Sequence, residues 1–277
     1  MKNKVWFVTG ASKGLGQALV RRLLKEGYSV AATSRKEKAL IQSIGEHANF
    51  LPLEVSLSDE TSISTAVQKT LSKFGRIDVV VNNAGFGQGG SVEEVTAQEA
   101  RENYDVNVFG LLNVIRATAP ALREQRSGHV FNISSIGGLV GGFSGWGVYC
   151  STKFAVAGIT EAPSADLKSF GVHATVVYPG YFRTHFLEND SMRLPSRPIA
   201  AYEESRESMK LHKEKINHNQ PGDPEKAAEV MIKVAADSNP PLHLLLGSDA
   251  YNMAQMKLQQ LQTDIERMKS LTVFTDF

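Results

Sequence analysis

Val5-Trp6-Phe7-Val8-Thr9-Gly10-Ala11-Ser12-Lys13-Gly14-Leu15-Gly16 decides how the 277-residue chain is to be read. Four apolar residues in a row suit a strand buried on both faces, as in a parallel sheet. The glycines that follow let the backbone turn tightly and approach a phosphate. A helix starting there offers free N–H groups and the positive end of its dipole. Leu15, Leu19, Leu23 and Leu24 give an apolar face to a helix from about Leu15 to Glu26, which Gly27 ends, and Ser29 to Thr33 reads as the next strand. Strand, glycine turn, helix and strand within about thirty residues make one βαβ unit. The spacing Gly10-x3-Gly14-x-Gly16 differs from GxGxxG, and S-adenosylmethionine enzymes use a similar turn, so the turn alone leaves the nucleotide open.

Downstream the alternation continues. Helices are expected at Lys36 to Ile44, Asp59 to Phe74, Ala97 to Arg123 with a break at Pro120, and Tyr149 to Phe170. Strands are expected at Phe50 to Val55, Ile77 to Val81, Gly128 to Ile133, Val172 to Val177 and near Leu244. This pattern predicts an α/β doubly wound parallel sheet, a Rossmann fold, as a single domain over 1–277. Two segments break the rhythm. The polar stretch 183–220 carries Pro195 and Pro198, lacks a strong period, and is expected to be a substrate lid. Ala254, Leu258, Leu261, Ile265 and Met268 repeat at four-three spacing and predict a C-terminal helix over 250–271, packed on its own domain or on a neighbouring subunit.

Hydrophobic residues make up 42% of the chain and charged residues 21%, with a net charge of +1. That balance gives no electrostatic case for a nucleic acid or an anionic membrane as partner. Cys150 is the one cysteine, which excludes an intrachain disulfide. His129, His173 and His185 lack a ligand pattern, so no metal is expected. The apolar run Val5 to Val8 is too short for a secretory segment, and a soluble, cytoplasmic protein is expected.

Two further stretches carry chemistry. Tyr149 and Lys153 in Tyr149-Cys150-Ser151-Thr152-Lys153 share one helix face. A lysine ammonium beside a phenol favours the phenolate and brings it nearer to useful proton-transfer range. The second strand ends in Thr33-Ser34-Arg35-Lys36, where an NAD site wants a carboxylate for the ribose hydroxyl. A guanidinium at Arg35, with Lys13 in the first turn, suits a 2′-phosphate instead and predicts NADP(H) over NAD(H).

Taken in order, these pieces resemble the short-chain dehydrogenase/reductase family in its single-domain branch. The matching residues are Thr9-Gly10-x3-Gly14-x-Gly16, Asn82-Asn83-Ala84-Gly85, Asn107, Ser134-Ser135, Tyr149-x3-Lys153 and Pro179-Gly180-Tyr181-Phe182-Arg183-Thr184. The resemblance implies that Tyr149 exchanges a proton with the substrate oxygen, Lys153 lowers its pKa and holds the nicotinamide ribose, and Ser135 hydrogen-bonds the substrate oxygen. Asn107 would hold a water in the proton path. The cofactor would be bound by Gly10, Ser12, Lys13, Gly14, Leu15 and Gly16, by Ser34 and Arg35, by Glu54 and Val55, by Asn82, Ala84 and Gly85, and by Pro179, Gly180, Phe182 and Thr184, together with Tyr149 and Lys153. A homodimer or homotetramer is implied as well.

Three positions depart from the family pattern. Glu54 stands where an Asp is usual, the Ser135-to-Tyr149 segment is one residue longer and glycine-rich, and Pro163 falls inside the helix begun at Tyr149, where it should kink it. The expected activity is NADP(H)-dependent interconversion of a small-molecule carbonyl and alcohol. Phe86, Phe143, Trp146, Phe186 and Leu187 point to an apolar or aromatic substrate. The alternative is a catalytically idle NADP(H)-binding sensor or scaffold.

Overall fold

Short runs of Val, Ile, Phe and Ala alternate with amphipathic helices, and in the computed structural model they build one seven-stranded parallel sheet. It describes residues 4–188 and 191–277; residues 1–3 of the expected domain and 189–190 of the expected lid lie outside the described residues. The elements run β1 (Val5–Val8), α1 (Gly14–Lys25), β2 (Ser29–Ser34), α2 (Glu37–Ile44), β3 (Phe50–Glu54), α3 (Glu60–Phe74) and β4 (Val79–Asn82). Then come β5 (Gly87–Gln88), α4 (Ala97–Tyr104), α5 (Gly110–Gln125), β6 (Gly128–Ile133), α6 (Gly147–Lys168) and β7 (Val172–Pro179). The chain ends with β8 (Met192–Arg193), α7 (Glu203–Leu211), α8 (Pro224–Ala236), β9 (His243–Leu246) and α9 (Ser248–Val273).

The sheet order is β3-β2-β1-β4-β6-β7-β9. The order reverses between β1 and β4, and in an open parallel sheet the ligand crevice lies beyond the carboxyl ends of such a pair. Strands buried on both faces explain the unbroken apolar runs: Trp6, Phe7, Val79, Val80 and Val81 are essentially inaccessible. On one face Leu19, Leu23 and Leu24 of α1 pack with Leu40 of α2 and Ala227, Met231 and Ala235 of α8. On the other, Ile63 and Val67 of α3 pack with Val114 and Leu122 of α5.

Pro120 does not break its helix; α5 continues through it to Gln125. The break lies upstream, where the wider π-helical turn Asp105–Phe109 separates α4 from α5. Helix α6 likewise continues through Pro163. The segment 183–220 is more regular than its sequence indicates, since it contains α7 and the strand β8, which pairs with β5 beside the crevice. Helix α8 starts with Asp223 accepting from Glu225 N at 2.9 Å and Pro224 in its first turn. Helix α9 buries only its first turns: Ala250 and Ala254 pack with Ile136, Leu139 and Leu245, whereas Leu258, Leu261 and Ile265 are exposed.

Candidate active site

Two glycines, a threonine and an asparagine hold the floor of the crevice. Gly10 has φ +65°, and a Cβ there would lie 2.6 Å from the Ala84 Cα. A side chain would therefore push β1's turn off β4's. A Cβ on Gly16 would lie 2.5 Å from Asn83 Nδ2, which donates to the carbonyls of Thr9 and Gly10, both at 2.9 Å. The Thr9 hydroxyl accepts from Asn83 N and Ala84 N. These bonds fix the two turns against each other. Helix α1 opens with no acidic residue in its first turn and no side-chain cap, so its first N–H groups face the crevice unscreened. That donor set fits a pyrophosphate.

The crevice is a cleft of about 450 Å³. Of the residues expected to bind the cofactor, Gly10, Ser12, Lys13, Gly14, Leu15, Ser34, Arg35, Val55, Ala84, Gly85, Pro179, Gly180, Phe182 and Thr184 line it, as do Ser135, Tyr149 and Lys153. Lys13 also lies within electrostatic reach of Glu188, whose carboxyl is held low first by His185, then by His218 and Lys13. Ser34 Oγ is engaged with Lys36, donating to its carbonyl at 2.7 Å.

Four expected residues stand behind the lining. Glu54 alternates with Val55 along the chain, so Val55 faces the cleft while Glu54 Oε2 accepts from Glu37 N at 3.3 Å, at the start of α2. Gly16 provides room for Asn83. Asn82 Nδ2 donates to Asn132 Oδ1 at 2.8 Å, and Asn132 Nδ2 donates to Thr160 Oγ1 at 3.0 Å, which laces β4, β6 and α6 together. Asn107 sits in the π-helical turn. Its Oδ1 accepts from Phe86 N at 3.0 Å, and its Nδ2 donates to Phe86 O at 2.9 Å and Thr152 Oγ1 at 3.0 Å. Its side chain is engaged with Phe86 and Thr152.

Tyr149 and Lys153 project from the first turns of α6. Lys153 Nζ donates to the Ile133 carbonyl at 2.9 Å and lies 5.8 Å from the centre of the Tyr149 ring. Ser134 Oγ donates to Lys153 O at 2.7 Å and is structural. The glycine-rich segment leaves Ser135 in the cleft lining with Tyr149, its hydroxyl accepting from Gly137 N at 3.1 Å. Burial pushes the Tyr149 phenol well above its ordinary range, opposed by the Ser135 hydrogen bond. Burial also lowers Lys153 to about 8. The expected lowering of Tyr149 by Lys153 is therefore outweighed by desolvation, and the phenol is held neutral. A neutral phenol is a proton donor.

Beyond Tyr149 the cleft is aromatic. The Trp146 and Phe186 rings each lie 5.8 Å from the Tyr149 ring, and Trp146, Tyr149 and Cys150 pack with Leu187, Met192 and Met209 from 183–220. Sequence reasoning missed His212, Gln220 and Arg193 here, because nothing in their spacing marks them. It also gave no role to Asp249, whose Oδ2 accepts from Tyr181 N at 2.7 Å and holds the Pro179–Tyr181 corner from the start of α9. Among the described residues no group of His, Cys, Asp and Glu could hold a metal ion, and no helix is long and apolar enough to cross a membrane.

This geometry has close relatives. The family model for short chain dehydrogenases matches residues 4–194. The chain is 35% identical to an oxidoreductase, BOA17, of Botryotinia fuckeliana, covering 98% of each, and 34% identical to a 3-ketodihydrosphingosine reductase of Bacteroides thetaiotaomicron, covering 89% of each. Among solved structures it is similar to a short-chain dehydrogenase from Streptomyces avermitilis, with TM-score 0.90, 32% identity, and 99% of this chain and 100% of that one covered. Sheet order, glycine turn and helix-borne Tyr149 and Lys153 thus coincide with a family match across most of the chain, which belongs to the short-chain dehydrogenase/reductase family of oxidoreductases.

Proposed function

We propose that the protein is an NADP(H)-dependent reductase of apolar or aromatic carbonyl compounds. The observation that carries this is the buried Tyr149, in one cleft lining with Ser135 and with Lys153 Nζ 5.8 Å from its ring centre, at the junction of the glycine-turn cleft and an aromatic compartment. When bound, the reduced nicotinamide supplies a hydride. Tyr149 gives its proton to the carbonyl oxygen, and Ser135 donates a hydrogen bond to the charge that develops there. Lys153, protonated below about 8, stabilises Tyr149 after it has lost the proton and holds the nicotinamide ribose. The α1 N-terminus with Ser12 and Leu15 holds the pyrophosphate, while Thr184 and the Pro179–Phe182 corner border the nicotinamide.

NADP(H) is favoured by Arg35 at the end of β2 and by the lack of any Asp or Glu among the described residues lining the cleft. A 2′-phosphate meets the Arg35 guanidinium there. Segment 183–220 acts as a substrate lid: Leu187, Met192 and Met209 cover Tyr149 and exclude water. The test is cofactor consumption over a panel of aromatic and long-chain ketones, supplied with NADPH or NADH. Turnover with at least about tenfold higher kcat/KM for NADPH is expected. A preference for NADH, or turnover confined to small charged sugars, would contradict the reading.

A further inference from the structure

Helix α9 runs from Ser248 to Val273, but the domain supports only its start. Ala250 and Ala254 are buried, whereas Leu258, Leu261, Ile265 and Met268 are 58%, 43%, 61% and 39% exposed. Among the described residues, side-chain hydrogen bonds and ion pairs from 257–273 are local to the helix. Gln260 and Arg267 donate to Asp264, Gln262 donates to Glu266, and Thr263 and Thr272 donate to carbonyls one turn back. A helix without tertiary support is marginal in water, because most helical stability in proteins comes from packing one face. The exposed face of α9 calls for a partner.

The pattern of that face selects the partner. Leu258, Leu261, Ile265 and Met268 fall within an arc of about 80° when successive residues turn by about 100°. Met256 lies opposite, and Leu271, Val273 and Phe274 scatter round the last turn. So narrow a strip is a coiled-coil seam; the helix face that packs on a domain core is wider. The chain beyond Ala254 has no net charge, with Lys257, Arg267 and Lys269 set against Asp264, Glu266 and Asp276, so an anionic membrane finds no basic face there. In heptad terms Leu258 and Ile265 take a positions, and Leu261 and Met268 take d positions. Isoleucine at a with leucine at d suits two strands.

The flanks of the seam set the orientation. Lys257 and Asp264 lie along one side, at g positions, and Gln262 and Lys269 along the other, at e positions. Ala254, the d position before Leu258, is buried against its own domain, so pairing starts at Leu258. In a parallel pair Asp264 faces Lys269 of the second copy, an opposite charge. In an antiparallel pair over the same residues the two Asp264 side chains meet. Asp264 is 44% exposed even while it holds Arg267, which leaves it open to a further cation. We propose that the exposed seam of α9 pairs with the same seam of a second copy of this chain, as a parallel two-stranded coiled coil over 258–268.

Light scattering and sedimentation of the full chain at micromolar concentration test the pairing. Leu261→Glu with Ile265→Glu buries two charges in the seam and should weaken self-association by at least about a hundredfold, halving the mass of the assembly. Gln259→Glu with Thr263→Glu puts the same charges on the opposite face and should leave the mass unchanged. None of these four residues lines the cleft, so NADPH binding and a cooperative melt serve as fold controls. Leu261→Cys should form a disulfide between copies on mild oxidation, because a parallel pair sets each d residue against itself, and Gln259→Cys should not. The native Cys150 is buried. A monomeric unmodified protein, or equal mass for it and the seam variant, would overturn the proposal. So would flotation with phosphatidylcholine–phosphatidylserine vesicles that the seam variant abolishes, which would assign the face to a membrane. A halved mass in the seam variant with no disulfide in Leu261→Cys would overturn the parallel pairing.

Discussion

At the nucleotide end of the cleft the lining is largely backbone held by backbone and by asparagine. Gly10 touches Ala84, Asn83 spans the two turns, and the start of α1 is bare. At the substrate end the lining is side chains carried by loops and by the 183–220 segment: Trp146, Phe186, Leu187, His212 and Gln220. Tyr149, Ser135 and Lys153 stand where the two meet. The difference separates a part whose shape only certain residue types can make from a part that many side chains of suitable size could fill. Binding of the shared cofactor should then be intolerant of change, and substrate choice should be adjustable.

Gly10→Ala strikes the first part hardest. It puts a side chain at φ +65° and a Cβ 2.6 Å from the Ala84 Cα. Strain of this kind costs about 1–3 kcal/mol, and NADPH affinity should weaken by about a hundredfold with a lower melting temperature. Calorimetric titration and a thermal melt check this; unchanged affinity would show that the two turns are not clamped as described. Next in size, Ser34→Asp with Arg35→Ala should shift the NADPH-to-NADH ratio of kcat/KM by about thirtyfold toward NADH, measured with one ketone, as a charge-assisted contact is lost and a repulsive one gained.

Leu187→Ala tests the other side. It should raise KM for an aromatic ketone by about tenfold and leave the NADPH dissociation constant unchanged. Equal damage to both constants would erase the division between the two ends. The smallest effect is expected from Glu54→Gln. Glu54 Oε2 meets the start of α2 rather than the cleft, so the NADPH dissociation constant should move by less than about twofold.

The same division explains what could be read from the residues alone. The strand-end motifs were legible because backbone turns demand glycine and because a doubly wound sheet places its ligand at strand ends. Tyr149 and Lys153 share one helix face, a spacing common by chance, and it is the ordered strand-end motifs around them that make the pair legible. The resemblance places Glu54 at the cofactor, where the family has Asp, and strand alternation turns its side chain toward the start of α2 instead. The resemblance gives Asn107 a water in the proton path; that its side chain also secures Phe86 is set by a π-helical turn that no local pattern announces. A break is expected at Pro120, yet α5 continues through it to Gln125, because a proline's penalty is local and does not by itself end a helix. His212 carries no sequence signal because its place comes from tertiary neighbours: the Ser208 carbonyl accepts from its Nδ1, and Tyr181 meets its Nε2 at 2.9 Å.

The most direct test of the central claim compares NADPH-linked ketone reduction by the unmodified protein and by Tyr149→Phe across pH, with NADPH binding measured for both. Removing a general acid should lower kcat by about a thousandfold while NADPH still binds. In the unmodified protein kcat/KM should hold at neutral pH and fall as pH rises through about 8, where Lys153 loses its proton. Comparable kcat in Tyr149→Phe, or no turnover by unmodified protein that binds NADPH, would contradict the account.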